Sequence, residues 1–374
     1  MNIDEKTAGA APASVQSVLV VIPCLNEART LEGVLRELGD GLPENADVRF
    51  VVADGGSTDG TVELAHRLAA AGPGANPAAN PATNPAASAA RLRVLHNPRR
   101  IQSAAVNLAA RELGQGVDVL VRCDAHAHYP RGFIASLLAT LERTGCDAVV
   151  VPMDSSGSGC FQKAVAWVSN TWAGTGGSAH RGGQRSGEVD HGHHAAFRMA
   201  SFRRAGGYDE SFTHNEDAEL DCRQRGLGSR IYLDAAIRLG YSPRATPWAL
   251  ARQYFFYGRG RSRTVRRHPG SMRARQLALP LNLVLCALAV LLAAWLPGLL
   301  LWPAAYLAAL AATSLAIAWQ QRSACALWAG PAAGIMHVAW ALGFFAGLAT
   351  IRESAWQRVH ATPLAHDTGQ GAAG

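Results

Sequence analysis

The sequence predicts an α/β domain followed by a group of membrane-spanning helices. Two observations carry this prediction. Short apolar runs alternate with helical periodicity through the first 245 residues, and long uncharged segments begin after residue 275. Strands that alternate with helices are typical of a mostly parallel sheet, which binds its ligands at the carboxyl ends of the strands. The length of 374 residues suits one large domain or two smaller ones.

The alternating elements can be followed in order from the N-terminus. The run at 17–22 is short, mostly apolar and followed by Pro23, which predicts a buried strand. Leucine and valine then recur at helical spacing through 31–38, which predicts a helix. The later elements predicted in the same way are a strand at 48–53, a helix at 61–70, and strands at 92–95 and 117–122.

Two segments are expected to be disordered. Residues 1–14 contain charged and small residues without the apolar region of a signal peptide. Residues 72–90 contain three Asn-Pro-Ala units and no large apolar side chain. Such a segment cannot build a core, so it is predicted to be a surface loop without a function of its own. The α/β domain is therefore expected to extend over residues 15–270.

Composition excludes several classes of protein. A chain with 49% hydrophobic and 17% charged residues is not intrinsically disordered. The net charge of +7 is local, because eight arginines and no acidic residue lie between positions 252 and 275. A membrane edge or a phosphate site explains this cluster better than nucleic acid, since long apolar segments follow it directly. Seven cysteines without a CxxC pair argue against a zinc ribbon or a disulfide-stapled secreted fold, and predict a reducing, cytosolic setting.

The C-terminal part is predicted to cross a membrane. Residues 276–321 carry no charged side chain, and as one helix they would be about 70 Å long, against about 30 Å for a hydrocarbon core. Pro297-Gly298 near the middle predicts a turn between two spans, and the uncharged run at 323–351 is a third candidate. The expected membrane domain at 276–351 has spans at 276–297, 299–320 and 328–351, followed by a tail at 352–374. A buried hairpin of a soluble protein is the alternative.

Charge distribution predicts the orientation in the membrane. The arginine cluster precedes the first span and Arg322 follows the second, so both are expected on the cytoplasmic side. The α/β domain should therefore lie in the cytoplasm, at the inner membrane of a bacterium. Three crossings would place the C-terminus on the opposite side. The third segment is rich in glycine and alanine and contains His337, so a re-entrant segment is an alternative to a third span.

Acidic residues follow the predicted strands and begin a later helix. Asp54 ends the second strand and opens a Gly/Ser/Thr loop suited to a nucleoside, although an Asx turn with a helix cap is the alternative. Asp124 and His126 follow the fourth strand, where their spacing fits a divalent ion that bridges a diphosphate. Both strands should end at one crevice. Glu216 and Asp217 begin a helix, as caps or as a general base for a hydroxyl.

In this order the motifs resemble the family 2 glycosyltransferases. The resemblance runs from Val-Val-Ile-Pro-Cys-Leu-Asn-Glu at 20–27 through the Asp54 loop, the Asn107 region and Asp124-Ala125-His126 to Glu216-Asp217, and covers most of 15–270. Several stretches look closer to one branch, the ExoA-type transferases of succinoglycan biosynthesis. They lie at 174–180, 189–195, 214–221 and 252–261.

The resemblance implies a GT-A fold and transfer from a nucleotide-sugar with inversion. Asp217 would be the general base, and Glu216 would support it or bind the acceptor. The residues it assigns to the donor site are Pro23, Glu27, Asp54, Asn107 and Asp124. The implied reaction adds a sugar, glucose from UDP-glucose, to a polyprenyl-diphosphate-linked saccharide in exopolysaccharide synthesis, with other assembly proteins as possible partners.

One departure from the family concerns the metal. The usual Asp-x-Asp motif is replaced by Asp124-Ala125-His126, so a divalent ion would be held by Asp124 and His126. Imidazole suits Mn²⁺ better than Mg²⁺, which prefers oxygen ligands. The metal is therefore expected to be Mn²⁺ or Mg²⁺, with Mn²⁺ more active.

Histidines and arginines before the first span are further candidates. A contact with the diphosphate or the acceptor is expected for His191, His193, His194, Arg259 and Arg261. The alternatives for the histidines are a structural role or a separate zinc site, although they lack the longer-range spacing of such a site. The alternative for the arginines is anchoring to lipid headgroups.

Two other functions remain open from the sequence. A processive polysaccharide synthase is disfavoured, because three spans are few for a polymer channel and no clear Gln-x-x-Arg-Trp motif is present. A catalytically silent assembly subunit is supported only by His126. Binding of a UDP-sugar without turnover would select the silent subunit.

Overall fold

The computed structural model describes residues 17–71, 91–176 and 184–357. The N-terminal segment at 1–14 and the Asn-Pro-Ala loop at 72–90 fall outside these ranges, as does the tail from residue 358. The predictions made for these segments are therefore not addressed by the structure.

Strands and helices alternate through the first part of the chain, as predicted. The predicted strands are all present, with ends within two residues of those expected. The elements are β1 (Ser17–Cys24), α1 (Leu31–Gly39), β2 (Asp47–Asp54), α2 (Thr61–Ala71), β3 (Arg91–His96), α3 (Gln102–Glu112), β4 (Val119–Arg122) and α4 (Phe133–Thr144).

The second part of the domain has shorter strands and ends in a long helix. Its elements are β5 (Ala148–Val151), β6 (Met153–Ser155), α5 (Cys160–Ser169), α6 (Trp172–Thr175), β7 (Gly187–Glu188), β8 (His193–Arg198), α7 (Met199–Arg204), α8 (Glu216–Gly226), β9 (Ile231–Leu233), β10 (Leu239–Tyr241) and α9 (Pro247–Arg267).

The main sheet has the strand order β3-β2-β1-β4-β8-β5-β9-β7. The first four strands are parallel, whereas β8 lies antiparallel between β4 and β5. This antiparallel strand brings the start of β8, with His193, beside the carboxyl end of β4. Strands β6 and β10 form a separate parallel pair.

Both faces of the sheet are covered by apolar packing. Alternate residues of β1 enter two different core clusters, with Val18, Val20 and Ile22 in one. Leu19 and Val21 enter the other. A strand buried on both faces reads as a continuous apolar run, which explains why β1 was visible in the sequence.

Three apolar helices follow the arginine-rich helix α9. They are α10 (Ala274–Leu292), α11 (Leu301–Gln321) and α12 (Ala329–Thr350), and each is long and apolar enough to cross a membrane. Pro297 begins a short 3₁₀ turn between the first two, where a turn was expected. Leucines and tryptophans on α10 and α11 are exposed, including Trp319 at 86%. Such surfaces suit contact with lipid.

Helix α12 packs along α9 by close backbone approach. A Cβ added at Gly258 would overlap the carbonyl oxygen of Trp340, and one at Gly343 would overlap that of Phe255. Small residues at both contact points therefore let the two helices approach closely. Beyond the end of α12, the backbone N–H of Trp356 donates to the carbonyl oxygen of Arg267 at 2.8 Å.

A disulfide joins the domain to the region before α12. It links Cys160, at the start of α5, with Cys325, which lies in the 3₁₀ turn that precedes α12. The cysteine spacing argued against a disulfide-stapled fold, and the structure corrects this for one pair. The two cysteines are 165 residues apart, so local spacing carries no information about their pairing.

Candidate active site

A cavity of about 2270 Å³ runs from the carboxyl ends of β1 and β4 to the apolar helices. Tyr306, Leu310 and Trp340 are among its lining residues on α11 and α12. The predicted site residues that line it are Pro23, Glu27, Asp124, His126, His191, His193, Glu216, Asp217 and Arg261. The structure thus brings most of the predicted site together at one crevice. It does not bring Asp54, Asn107 or Arg259 into the lining.

Arg122, at the end of β4, lies beneath three acidic residues. Its Nη1 pairs with Oδ1 of Asp217 and donates to the hydroxyl of Tyr208 at 3.1 Å. Its Nη2 lies 3.7 Å from Asp124 and 3.9 Å from Glu216. Burial alone would lower the pKa of Arg122, but these carboxylates and Tyr208, Asp217 foremost, raise it well above its ordinary value. The guanidinium is therefore a permanent cation under the site.

Glu216 and Asp217 begin α8 and differ in their surroundings. Asp217 receives both Arg122 and the Tyr208 hydroxyl, the latter at 3.0 Å. Burial raises the pKa of Glu216 to about 7, the charge of Asp217 adds to this, and Arg122 only partly opposes it. The pair therefore contains one carboxylate paired with an arginine and one whose pKa is raised to about 7.

Asp124 follows β4 and is held from three directions. Gln102 donates to its Oδ1 at 2.6 Å, and Nε2 of His193 lies 3.6 Å from its Oδ2. Although burial would raise the pKa of Asp124, Arg122 and the two histidines, His193 and His126, hold it below its ordinary value. Asp124 is therefore an oriented, ionised carboxylate at the cavity wall.

Asp124 and His126, the two predicted metal ligands, both line the cavity. Nδ1 of His126 lies 2.9 Å from Oε1 of Glu27, and Thr30 donates to the other oxygen of Glu27 at 2.9 Å. Metal-binding histidines commonly donate their second ring nitrogen to a carboxylate, which fixes the ring and directs the other nitrogen to the metal. In the described parts of the chain, no three or more His, Cys, Asp and Glu residues are grouped to hold a metal.

The carboxylate of Asp54 accepts hydrogen bonds from within its own loop. It accepts from the N–H groups of Gly56 and Ser57, at 2.7 and 2.9 Å, and from the Ser57 hydroxyl. Asn26 accepts from the N–H of Thr58 at 2.9 Å, which ties this loop to the one after β1. These bonds form an Asx turn, Asp54 lies outside the cavity lining, and its contact with a nucleoside stays a prediction.

Asn107 is likewise buried away from the cavity. Its Nδ2 donates to the carbonyl oxygen of Tyr208 and to Glu210, and its Oδ1 accepts from the N–H of Tyr208. These bonds fix the residue whose hydroxyl reaches Asp217. In this structure Asn107 therefore acts on the site through Tyr208.

The histidines of 191–194 have different surroundings. Nδ1 of His191 lies 2.7 Å from Oδ2 of Asp221, which is fully buried on α8. Nε2 of His193 lies 3.6 Å from Oδ2 of Asp124. The backbone of His194 pairs with Val150, and its side chain lies outside the described part of the structure. His191 and His193 thus link β8 to the acidic residues of the site.

A polar chain connects the apolar helices to α6. The hydroxyl of Tyr306 donates to Nδ1 of His337 at 3.0 Å, and Nε2 of His337 donates to the carbonyl oxygen of Ala173 at 2.7 Å. The carbonyl can only accept, so Nε2 carries the proton and Nδ1 accepts. His337 therefore has partners on both sides within an apolar helix.

Arg122, Tyr208 and Gln102 were not predicted as site residues. One signal was available for Arg122, because a charged residue ends the otherwise apolar strand Val-Leu-Val-Arg immediately before the Asp124 motif. A buried arginine at a strand end requires acidic partners. No local pattern pointed to Tyr208 or Gln102.

The fold and this arrangement of acids agree with the comparison to known families. The model of glycosyl transferase family 2 matches residues 19–206. The chain therefore belongs to the family 2 glycosyltransferases, and its domain has the GT-A fold.

Two relatives indicate the branch of the family to which the chain belongs. The chain is 43% identical over 341 residues to the succinoglycan biosynthesis protein ExoA of Rhizobium meliloti, across 90% of this chain and 96% of the relative. It is 30% identical over 151 residues to the polyprenol monophosphomannose synthase of Mycolicibacterium smegmatis, across 39% of this chain and 49% of that protein. This chain is thus an ExoA-type member of the family.

One solved structure supports the fold along most of the chain. The mannosyltransferase PcManGT from Pyrobaculum calidifontis, in complex with GDP-Man and Mn²⁺, superposes with a TM-score of 0.56. The two chains are 20% identical, and the match covers 90% of this chain and 88% of the other.

Proposed function

We propose that this protein transfers a sugar from a nucleotide-sugar to a lipid-linked saccharide in exopolysaccharide synthesis. The observation that carries the proposal is the continuity of one cavity from Asp124, Glu216 and Asp217 to the apolar helices α11 and α12. An acceptor with a polyprenyl diphosphate could place its sugar at the acids and its chain beside these helices. Glucose from UDP-glucose is the first donor to test.

The relatives support the same reaction. ExoA is named for succinoglycan biosynthesis, and the second relative is named for joining mannose to a polyprenol phosphate. Residues 15–270 would form the catalytic domain in the cytoplasm, and 276–351 would anchor it in the inner membrane of a bacterium. The arginines that precede α10 favour this orientation.

Asp217 is the general base of the proposed mechanism. The acceptor hydroxyl oxygen attacks the anomeric carbon, the bond to the donor diphosphate breaks, and the hydroxyl proton passes to the Asp217 carboxylate. One displacement of this kind inverts the anomeric centre. Arg122 and Tyr208 hold Oδ1 of Asp217, so the carboxylate is oriented before the acceptor arrives.

Glu216 binds the acceptor in this mechanism. It lines the cavity next to Asp217, and burial raises its pKa to about 7. A protonated carboxyl can donate a hydrogen bond to a sugar oxygen, which an ionised one cannot. The two acids thus take separate roles, because Arg122 neutralises Asp217 more closely than it neutralises Glu216.

Asp124 and His126 would hold a divalent ion with the donor diphosphate. Such an ion neutralises charge on the leaving diphosphate. Gln102 and His193 orient Asp124, and Glu27 orients His126. Mn²⁺ should support more activity than Mg²⁺, because one ligand is an imidazole.

A transfer assay in membranes tests the proposal. Membranes that contain the full-length protein are incubated with a panel of radiolabelled UDP-sugars and a bacterial lipid extract. Label should enter the lipid fraction with one donor, and Asp217→Asn membranes should not transfer it. Donor binding without transfer would instead identify a silent assembly subunit, and a long water-soluble polymer would identify a processive synthase.

A further inference from the structure

Arg261 on α9 is a buried arginine without an acidic partner among the described residues. It is 8% exposed, and its Nη2 donates to the carbonyl oxygen of Ser271 and to Oε1 of Gln276, both of them neutral groups. Its Nε is buried without a hydrogen-bond partner. Two nearby arginines of the same helix, Arg263 and Arg267, both pair with Glu353.

This unpaired charge is unusual because burying an ion is costly. A buried cation is normally compensated by a carboxylate or a bound anion. Burial lowers the pKa of Arg261, and the neighbouring charge of Arg275 acts in the same direction. Among the described residues, no carboxylate pairs with this guanidinium to balance its charge.

Arg261 lies between the acidic residues at the start of α8 and the first apolar helix, α10. It lines the main cavity. On one side, the preceding Gly260 packs against the carbonyl oxygen of His214, two residues before Glu216. On the other side, its partner Gln276 lies in the first turn of α10. The guanidinium therefore stands between the proposed base and the first apolar helix.

The start of α10 adds to the positive potential. The N-terminal end of a helix carries a partial positive charge and attracts anions. Arg273 and Arg275 flank the first residue of α10 and also line the cavity, and Arg273 pairs there with Asp190. The site therefore combines a buried guanidinium, a helix N-terminus and neighbouring cations at the level where α10 would enter a membrane.

We propose that Arg261 binds a phosphate group of the lipid-linked acceptor. This inference rests on the proposed function, and it assigns the acceptor's phosphate to α9 and α10. The donor diphosphate is also a phosphate ligand, but its proposed ligands are Asp124 and His126, at the strand ends. A phosphate at Arg261 would leave the isoprenoid chain beside α10 and α11, where Leu279 and Leu310 line the cavity.

Binding assays with two phosphate ligands test this assignment. The full-length protein in detergent is titrated with farnesyl diphosphate, as a short isoprenoid diphosphate, and with UDP. Arg261→Gln should weaken binding of farnesyl diphosphate by at least about tenfold, because a hydrogen-bonded ion pair is lost. Binding of UDP should change less than about twofold. Arg261→Lys, which keeps the charge, should recover part of the affinity.

Two controls separate a loss of phosphate binding from a general loss of charge or of folding. Arg131→Gln removes an exposed arginine that pairs with Asp40 outside the cavity, and it should leave both affinities unchanged. Arg261→Gln should also unfold at a temperature equal to or above that of the parent protein, because it removes an uncompensated buried charge. Unchanged binding of farnesyl diphosphate, an equal or larger loss of UDP binding, or an unfolded variant would each overturn the proposal.

The proposed function can fail separately from this inference. A protein that transfers sugar to lipid while Arg261→Gln binds farnesyl diphosphate normally would refute only the phosphate site. Absence of transfer with every donor would refute the function, whatever the binding data show.

Discussion

The guanidinium of Arg122 and the carboxylate of Asp217 form an ion pair, although the two residues are 95 positions apart. The pair joins the end of β4 to the start of α8. It distinguishes the two adjacent acids of that helix, because Arg122 lies closer to Asp217 than to Glu216. Asp217 pairs directly with the arginine, whereas burial and the charge of Asp217 raise the pKa of Glu216 to about 7.

Replacing Arg122 should destabilise the protein strongly. Arg122→Met leaves three carboxylates without their buried cation, and breaking a buried ion pair typically costs about 3–5 kcal/mol. Adding Asp217→Asn should recover part of the lost stability without recovering activity. Thermal unfolding of the single and double variants measures this, with the exposed Arg131→Met as control. A double variant no more stable than Arg122→Met would show that the pair is not coupled.

The two acids of α8 should respond differently to amide substitution. Asp217→Asn should reduce the transfer rate by at least about a hundredfold, because a general base is lost. Glu216→Gln should act mainly on the KM for the acceptor, because glutamine can still donate a hydrogen bond. Steady-state kinetics with varied acceptor separate the two effects. A larger rate loss in Glu216→Gln than in Asp217→Asn would exchange their roles.

Protein stability should depend on pH through Glu216. Its pKa in the folded protein is about 7, against an ordinary value of 4.5. Since the folded state binds the proton more tightly, its stabilising effect is complete below about pH 4.5 and is lost as pH rises through 7. Glu216→Gln should therefore gain stability relative to the parent between pH 5 and 8, by at most about 3 kcal/mol. Melting curves of both proteins, with the exposed Glu32→Gln as control, measure this difference.

Glu27 contacts His126, and by orienting its ring it should increase the affinity of the proposed metal site for Mn²⁺. Loss of a group that orients a metal-binding histidine typically costs about 10–100-fold in metal affinity. Glu27→Gln should show such a loss when free Mn²⁺ is measured by electron paramagnetic resonance in the presence of UDP. The pair of Glu37 and His128 has the same chemistry at 3.2 Å outside the cavity lining, so Glu37→Gln is the matched control. Equal affinities in both variants would remove His126 from the metal site.

The sequence predicted those features that depend on local periodicity. The strands β1, β2, β3 and β4 were visible because buried parallel strands are continuous apolar runs. The shared crevice followed from topology, since neighbouring parallel strands end at one edge of the sheet. Topology placed Asp54 and Asp124 at this edge, of which only Asp124 lines the cavity, and the family resemblance added Glu216 and Asp217.

Features that depend on distant contacts could not be predicted. The pairing of Arg122 with Asp217, the insertion of β8 beside β4 and the disulfide of Cys160 with Cys325 each join residues far apart in sequence. The role of Asp54 was also ambiguous, because a nucleoside site and an Asx turn use the same residue types. The structure shows the hydrogen bonds of the turn, and a contact of Asp54 with the donor stays a prediction.

Helix α12 is attached to the catalytic domain at both ends. Cys325 joins it to Cys160 before its first turn, and Trp356 bonds to Arg267 after its last. We propose that a helix attached to the catalytic domain at both ends does not cross the membrane, which would leave complete crossings only for α10 and α11. Two crossings would place the C-terminal tail on the same side of the membrane as the catalytic domain. A protease-sensitive epitope at the C-terminus should therefore be protected in intact cells and cleaved in inverted vesicles.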